Sequence, residues 1–166
     1  IIRGSGDYFS AGGDIKTELF LLARDPKLNE QGALSLNFSK EAQRLMRCIK
    51  DYPKPVIAEI DGYAFGGGFE LALACHRIIS TERSIFGMTQ VTLGIMPGWG
   101  GTIHLLKKCA RTFALRLICE GITISARDAM NVGIVQAPLV KTNKNPLKMP
   151  IPRKPAPQVQ KMLERY

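Results

Sequence analysis

An α/β fold with a mostly parallel sheet is predicted by three observations. Glycine-rich turns at Gly4–Gly13, Asp61–Gly68 and Pro97–Gly101 each open a helical run. Short apolar runs with strand character lie between the helices, at 55–60, 77–81 and 84–87. The chain has 166 residues and 45% hydrophobic content, which suits one globular domain with a sizeable core.

In chain order, residues 1–3 read as the end of a strand, and their abrupt start predicts that N-terminal residues are missing. Gly4 to Gly13 forms a loop with four glycines, and Asp14 caps a helix over Ile15–Phe20. Residues 24–32 are polar and read as a loop. Leu34, Phe38, Ala42, Leu45, Met46 and Ile49 recur at helical spacing, predicting an amphipathic helix to about Tyr52. Pro53 and Pro55 end it, and Val56–Ile60 is a strand. A helix follows over Phe69–Cys75, then strands at 77–81 and 84–87 and one helical turn at 89–93. Helices are expected from about Thr102 and over Arg111–Glu120. Ser125 and Asp128 form a capping-box start for a short helix ending at Gly133, and Ile134-Val135 reads as a closing strand. The organisation predicted is a core domain over 1–140 and a basic, proline-rich tail over 141–166, with five prolines between Lys144 and Pro157.

Charge and cysteines narrow the function. The formal charge is +9, but residues 141–166 hold seven basic and one acidic side chain, leaving only +3 for the first 140. No basic helix face with stacking aromatics is present, which argues against nucleic acid. No apolar run approaches a membrane span. Cys48, Cys75, Cys109 and Cys119 form no Cys-x-x-Cys pair and read as reduced, mostly buried thiols of a cytoplasmic protein. No metal-ligand spacing occurs.

The middle turn carries the chemistry. Gly66-Gly67-Gly68 brings main-chain N–H groups close to a ligand, and the helix behind them leaves those donors unpaired with a partial positive charge. Such a turn suits an anion or a transient oxyanion. Glu70 stands three residues beyond Gly67, one helical step, and faces the same cavity on this reading.

Taken in order, Phe9-Ser10-Ala11-Gly12-Gly13-Asp14-Ile15-Lys16, then Lys54 to Cys75, then Phe86-Gly87 through Pro97-Gly98-Trp99-Gly100-Gly101-Thr102 resemble the crotonase (enoyl-CoA hydratase/isomerase) superfamily. The likeness covers roughly 1–137 and continues through Ile124–Ala129 and Val132–Val135. It implies a ββα spiral, assembled as trimers or pairs of trimers, that processes acyl-CoA thioesters. Part of the family's N-terminal strands is lacking, and the tail is atypical. Two backbone N–H groups, here Ala11 and Gly67, are implied as an oxyanion hole. Glu70 matches one acid/base carboxylate. Gly12, Gly13, Asp14, Ile15, Lys16 and Gly66 are implied coenzyme A contacts, together with Ala11 and Gly67. Coenzyme A enters as part of the substrate, and no separate cofactor is implied.

The chain departs from the pattern at Gln90, where hydratases carry a second glutamate. An amide orients a water but neither holds nor surrenders a proton at neutral pH. Hydration by Glu70 alone, double-bond isomerisation and decarboxylation of a malonyl-type thioester all stay open; Met88-Thr89 resembles the decarboxylase branch, but hydratase-like chemistry ranks first as the superfamily's commonest activity. A non-catalytic acyl-CoA-binding or scaffold subunit is a further reading, as is a phosphate-binding α/β module, though no P-loop or Gly-x-Gly-x-x-Gly motif follows a strand. Trp99 and Phe65 are candidates for the acyl pocket. His76 reads as a surface residue and His104 as structural.

Overall fold

The structure, a computed structural model, describes residues 1–14, 33–136, 140–145 and 147. The predicted helix at Ile15–Phe20, the polar stretch 24–32 and most of the tail lie outside these residues. So do two of the predicted coenzyme A contacts, Ile15 and Lys16.

Six strands, one 3-10 turn and five helices are described. The strands are β1 (Ile2–Arg3), β2 (Ile57–Ile60), β3 (Tyr63–Phe65), β4 (Arg77–Ser80), β5 (Ile85–Gly87) and β6 (Thr123–Ser125). The helices are α1 (Ala33–Lys50), α2 (Gly67–Ala74), α3 (Gly101–Leu106), α4 (Arg111–Glu120) and α5 (Ala126–Asn131), and the 3-10 turn spans Thr89–Leu93. Two sheets form, ordered β1-β2-β4 and β3-β5-β6. All pairs are parallel except β5 with β6, where Phe86 faces Ile124. Successive strands alternate between the sheets: β2 and β4 in the first, β3 and β5 in the second. Each pair is followed by helical chain, which gives the winding its ββα repeat.

Helix α2 runs through the centre. Seven of its eight residues are buried, because Phe69, Ala72, Leu73 and Ala74 present apolar surface on several sides. The Phe69 and Phe86 rings meet at 5.5 Å, and Ile60, Ile78, Leu105, Leu117 and Ile134 close the core around them. A fully buried aliphatic or aromatic side chain of this kind is worth about 1.5–3 kcal/mol.

Four expectations need correction. Ile134 and Val135 are a bend rather than a strand, since both N–H groups return to the Ala129 carbonyl at 2.9 and 3.1 Å. Gly133, at φ 85°, makes that reversal, and the apolar pair drops into the core just beyond the end of α5. Strands β3 and β6 were not anticipated. Residues 61–68 read as one glycine turn because Tyr63–Phe65 is too short to carry a periodicity, yet it pairs with β5 in full register. On α1, Phe38 and Leu45 are exposed, so the apolar stripe is only partly covered by α2. Finally, Cys48 and Cys119 are exposed and only Cys75 is fully buried, so the thiols are not mostly buried. The capping box at Ser125 and Asp128 is present, with the Asp128 N–H donating to Ser125 Oγ at 3.1 Å.

The corner between the sheets is held by charge. Asp61 lies between β2 and β3 and accepts from Arg83 Nε at 2.7 Å, Lys144 Nζ at 2.8 Å and Thr81 Oγ1 at 2.9 Å. Arg83 Nη2 also reaches the Asp7 carbonyl at 2.8 Å, tying the first glycine loop to the same corner. The Arg83 side chain is 6% exposed and that of Asp61 27%. Hydrogen bonds from Arg83 chiefly hold the Asp61 carboxyl far below the usual carboxylate range. Removing Asp61 strands a buried guanidinium, so Asp61→Ala is expected to cost about 3 kcal/mol, near the lower end for a broken buried pair. The wild-type advantage is complete at neutral pH and shrinks as pH falls below the ordinary aspartate value of about 3.9. Urea unfolding of both proteins across acidic pH measures it, and an advantage independent of pH contradicts it.

Candidate active site

The first glycine loop is drawn onto the second turn by backbone bonds. Phe9 and Ser10 both donate to the Tyr63 carbonyl at 3.1 Å, and Phe65 donates to Ser10 at 2.9 Å. This extends β3 sideways and delivers Ala11 and Gly12 to the start of α2. The approach requires glycine: Gly12 has φ 97°, and a Cβ there would lie 2.8 Å from the Gly67 nitrogen. Gly66, at φ 52°, turns the chain from β3 into α2, its N–H held by the Gly87 carbonyl at 3.0 Å.

Ala11 and Gly67 consequently line one open cleft of about 180 Å³ together with Glu70, Gln90 and Trp99. Neither the Ala11 nor the Gly67 N–H has an acceptor among the described residues. For Gly67 the reason is general, because the first N–H groups of a helix have no intrahelical partner. Both donors are therefore available to a carbonyl oxygen entering the cleft.

Glu70 is 1% exposed, although it sits on the buried central helix where a charge is costly. Three donors reach it. Oε1 accepts from the Trp99 N–H at 2.9 Å and the Gly101 N–H at 2.8 Å, and Oε2 accepts from Gln90 Nε2 at 2.8 Å. Gly101 is the first residue of α3, so the third glycine turn supplies helix-start donors to the carboxylate of the second. Burial pushes the Glu70 carboxyl above the usual glutamate range, and these three hydrogen bonds pull part of the way back. Position 101 leaves no room for a side chain, since a Cβ there would lie 2.5 Å from Glu70 Cγ.

Gln90 is 8% exposed, in the 3-10 turn after β5. Its Nε2 is committed to Glu70, while its buried Oε1 has no partner among the described residues. An ionised Glu70 fixes this orientation, because the reverse would set two oxygens against each other.

Of the other predicted contacts, Gly13 lines the cleft, the Gly12 N–H donates to Ser10 Oγ at 3.2 Å, and Asp14 is exposed. Trp99 lines the cleft as expected, but Phe65 does not; its ring packs on Tyr63 at 4.9 Å. His76 is exposed, and its Nδ1 accepts the Val56 N–H at 3.0 Å, just before the start of β2. His104 lies beside a separate cavity, where burial and the nearby Lys50, Lys107 and Lys108 lower its pKa. The Trp99 and Gly101 N–H donors were missed in the sequence, because nothing local ties residues 29 and 31 positions apart from Glu70. The apolar mouth of Leu93, Ile95 and Met96 was missed as well. Among the described residues no group of three metal-binding side chains occurs, and no helix is long and apolar enough to cross a membrane.

The sequence profile of the family described as Enoyl-CoA hydratase/isomerase matches residues 1–143. The chain belongs to the enoyl-CoA hydratase/isomerase family. This family member is 43% identical over 135 residues to a Bacillus subtilis (strain 168) protein named as a probable enoyl-CoA hydratase, covering 81% of this chain and 49% of that one. It is 34% identical over 137 residues to the 2,3-dehydroadipyl-CoA hydratase of Escherichia coli (strain K12), with the same coverage of 81% and 49%. Its fold matches a crystal structure of an enoyl-CoA hydratase from Polaromonas sp. JS666 with a TM-score of 0.72 and 33% identity, covering 80% of this chain and 49% of that one. The fold is thus the crotonase-like α/β spiral. The chain spans about half the length of the curated relatives it matches.

The raised Glu70 carboxyl gives this enoyl-CoA hydratase/isomerase family member a stability signature. The native state holds that proton more tightly than the unfolded chain, so this group's contribution falls as pH rises from the unfolded value of about 4.3 through the native one. Glu70→Gln removes the ionisation, and the new amide can donate to Gln90 Oε1 after Gln90 turns over. The variant's stability relative to wild type is therefore expected to rise as pH climbs above the unfolded value of about 4.3. Urea midpoints across a pH series check it, and a difference that stays constant contradicts it.

Proposed function

We propose that the chain processes acyl-CoA thioesters through a thioester enolate, with Ala11 and Gly67 as the oxyanion donors and Glu70 as the proton carrier. The supporting observation is that the buried Glu70 carboxyl shares one cleft with two available N–H donors. A thioester oxygen bound by both donors takes up the negative charge that forms when chemistry occurs at the α- or β-carbon. Losing one such donor typically lowers a rate about 10²–10³-fold.

Glu70 has to do all the proton work, since Gln90 supplies an amide where a second carboxylate would stand. In hydration, ionised Glu70 takes a proton from water as the hydroxyl oxygen bonds to the β-carbon and the double-bond electrons move to the thioester oxygen. The same carboxyl then returns that proton to the α-carbon. Gln90 Oε1 is the buried acceptor that would orient the water. In isomerisation Glu70 instead moves one proton between two carbons of the acyl chain. Decarboxylation of a malonyl-type thioester is a second reading, favoured by the single ionisable group: loss of CO₂ leaves the same enolate and asks only for one protonation. A non-catalytic binding role is the remaining alternative. On the proposed chemistry coenzyme A is part of the substrate and no metal or redox group takes part. Assembly as trimers or pairs of trimers and a cytoplasmic location belong to the same proposal.

Turnover of crotonyl- and malonyl-type thioesters by wild type, Glu70→Gln and Gln90→Glu tests this reading. Glu70→Gln is expected to lower kcat at least about 10²-fold with binding retained. Gln90→Glu is expected to raise water addition to crotonyl thioester if hydration is the native reaction. No gain, with CO₂ released from the malonyl-type thioester by the wild type, would select decarboxylation. For the hydration and isomerisation reactions, wild-type kcat/KM should fall on the acid side through a pKa above the ordinary glutamate range, because the base must be ionised. Unchanged turnover in Glu70→Gln sinks the assignment of Glu70.

A further inference from the structure

We propose that the Trp99 indole sets the size of the acyl group this chain accepts, by closing the cleft off from a second cavity behind it. The inference rests on the acyl-thioester reading of the cleft. The second cavity, of about 320 Å³, lies between α1 and α3, with Met46, Pro97 and Ile103 among its apolar walls. Gly98 and Trp99 line both spaces. Trp99 therefore forms the partition.

Two contacts hold the ring in that position. It lies against the start of α2 so closely that a Cβ on Gly67 would run 2.6 Å from its Cη2 atom. On another side the Phe38 ring meets it edge-on, with centroids 5.7 Å apart and planes at 63°. An acyl carbonyl bound at Gly67 would thus place its chain directly against the indole. The main chain of Trp99 is anchored separately, through its N–H to Glu70 Oε1 at 2.9 Å. Replacing the ring removes the wall while leaving the backbone donor chemically intact.

A short acyl group fits the cleft of about 180 Å³, whereas a longer one needs the space behind the ring. Each additional methylene that finds apolar cover is worth about a four-fold gain in affinity. Wild type should show that gain only for the first few carbons, and a chain lacking the indole should show it further.

The test is calorimetric binding of butyryl-, hexanoyl-, octanoyl- and decanoyl-CoA to the full chain and to Trp99→Ala and Trp99→Phe. Trp99 is also the single tryptophan, so its fluorescence reports ligand arrival in wild type directly. Wild-type affinity is expected to level off by hexanoyl-CoA. Trp99→Ala is expected to gain at least about ten-fold more than wild type between butyryl- and octanoyl-CoA, with Trp99→Phe intermediate. If Trp99→Ala fails to fold by circular dichroism, Trp99→Phe carries the comparison alone. Chain-length profiles that run parallel in wild type and variants overturn the proposal while leaving the thioester reading standing. A wild type that binds no acyl-CoA, with no change in Trp99 fluorescence, overturns both.

Discussion

A buried carboxylate on an apolar helix is the constraint on which the site depends. Glu70 sits where Phe69, Leu73 and Ala74 are packed away from water, and an ion there is tolerable only if its oxygens are satisfied. The chain meets that demand from two other segments. The third glycine turn supplies two backbone donors, and the 3-10 turn after β5 supplies the Gln90 amide. The same demand fixes where those segments lie, because neither can retreat without uncovering a buried charge. Fold and site are therefore linked through one residue.

The rest of the geometry follows from backbone meeting backbone. The first loop reaches the start of α2 only because Gly12 has no side chain, and α3 reaches Glu70 only because Gly101 has none. Charge does the corresponding work at the other end of β3. There Asp61 gathers Arg83, Thr81 and Lys144, and Arg83 fastens the first loop through the Asp7 carbonyl. One strand, Tyr63–Phe65, is thus fixed at both ends, with a salt-bridged corner before it and a donor-lined cleft after it.

Much of this was legible in the residues, and the exceptions have physical causes. Helix α4 and the capping box of α5 were readable because their signals are local, a helical period and a Ser-x-x-Asp pair. The three glycine turns marked the cleft, and Glu70 and Gln90 were placed by motif order. Strand β3 was hidden because three residues hold too little periodicity, and its identity comes from pairing with β5. Ile134-Val135 looked like a strand because apolar β-branched residues serve equally in a buried helix cap. In the Asp61–Arg83–Lys144 cluster the outer two residues lie 83 positions apart, and no local pattern announces a contact of that range. The partition formed by Trp99 was equally silent, since it depends on where α1 and α3 leave space.

On the proposed chemistry, two backbone donors and one buried carboxyl act together on the carbon beside a thioester. Proton exchange at the α-carbon of butyryl-CoA in deuterated water, followed by NMR, tests this without presupposing hydration, isomerisation or decarboxylation. The account predicts exchange well above the uncatalysed rate with wild type, and exchange at background with Glu70→Gln. Background exchange with a wild-type protein that demonstrably binds butyryl-CoA, or equal exchange in the two proteins, would contradict it.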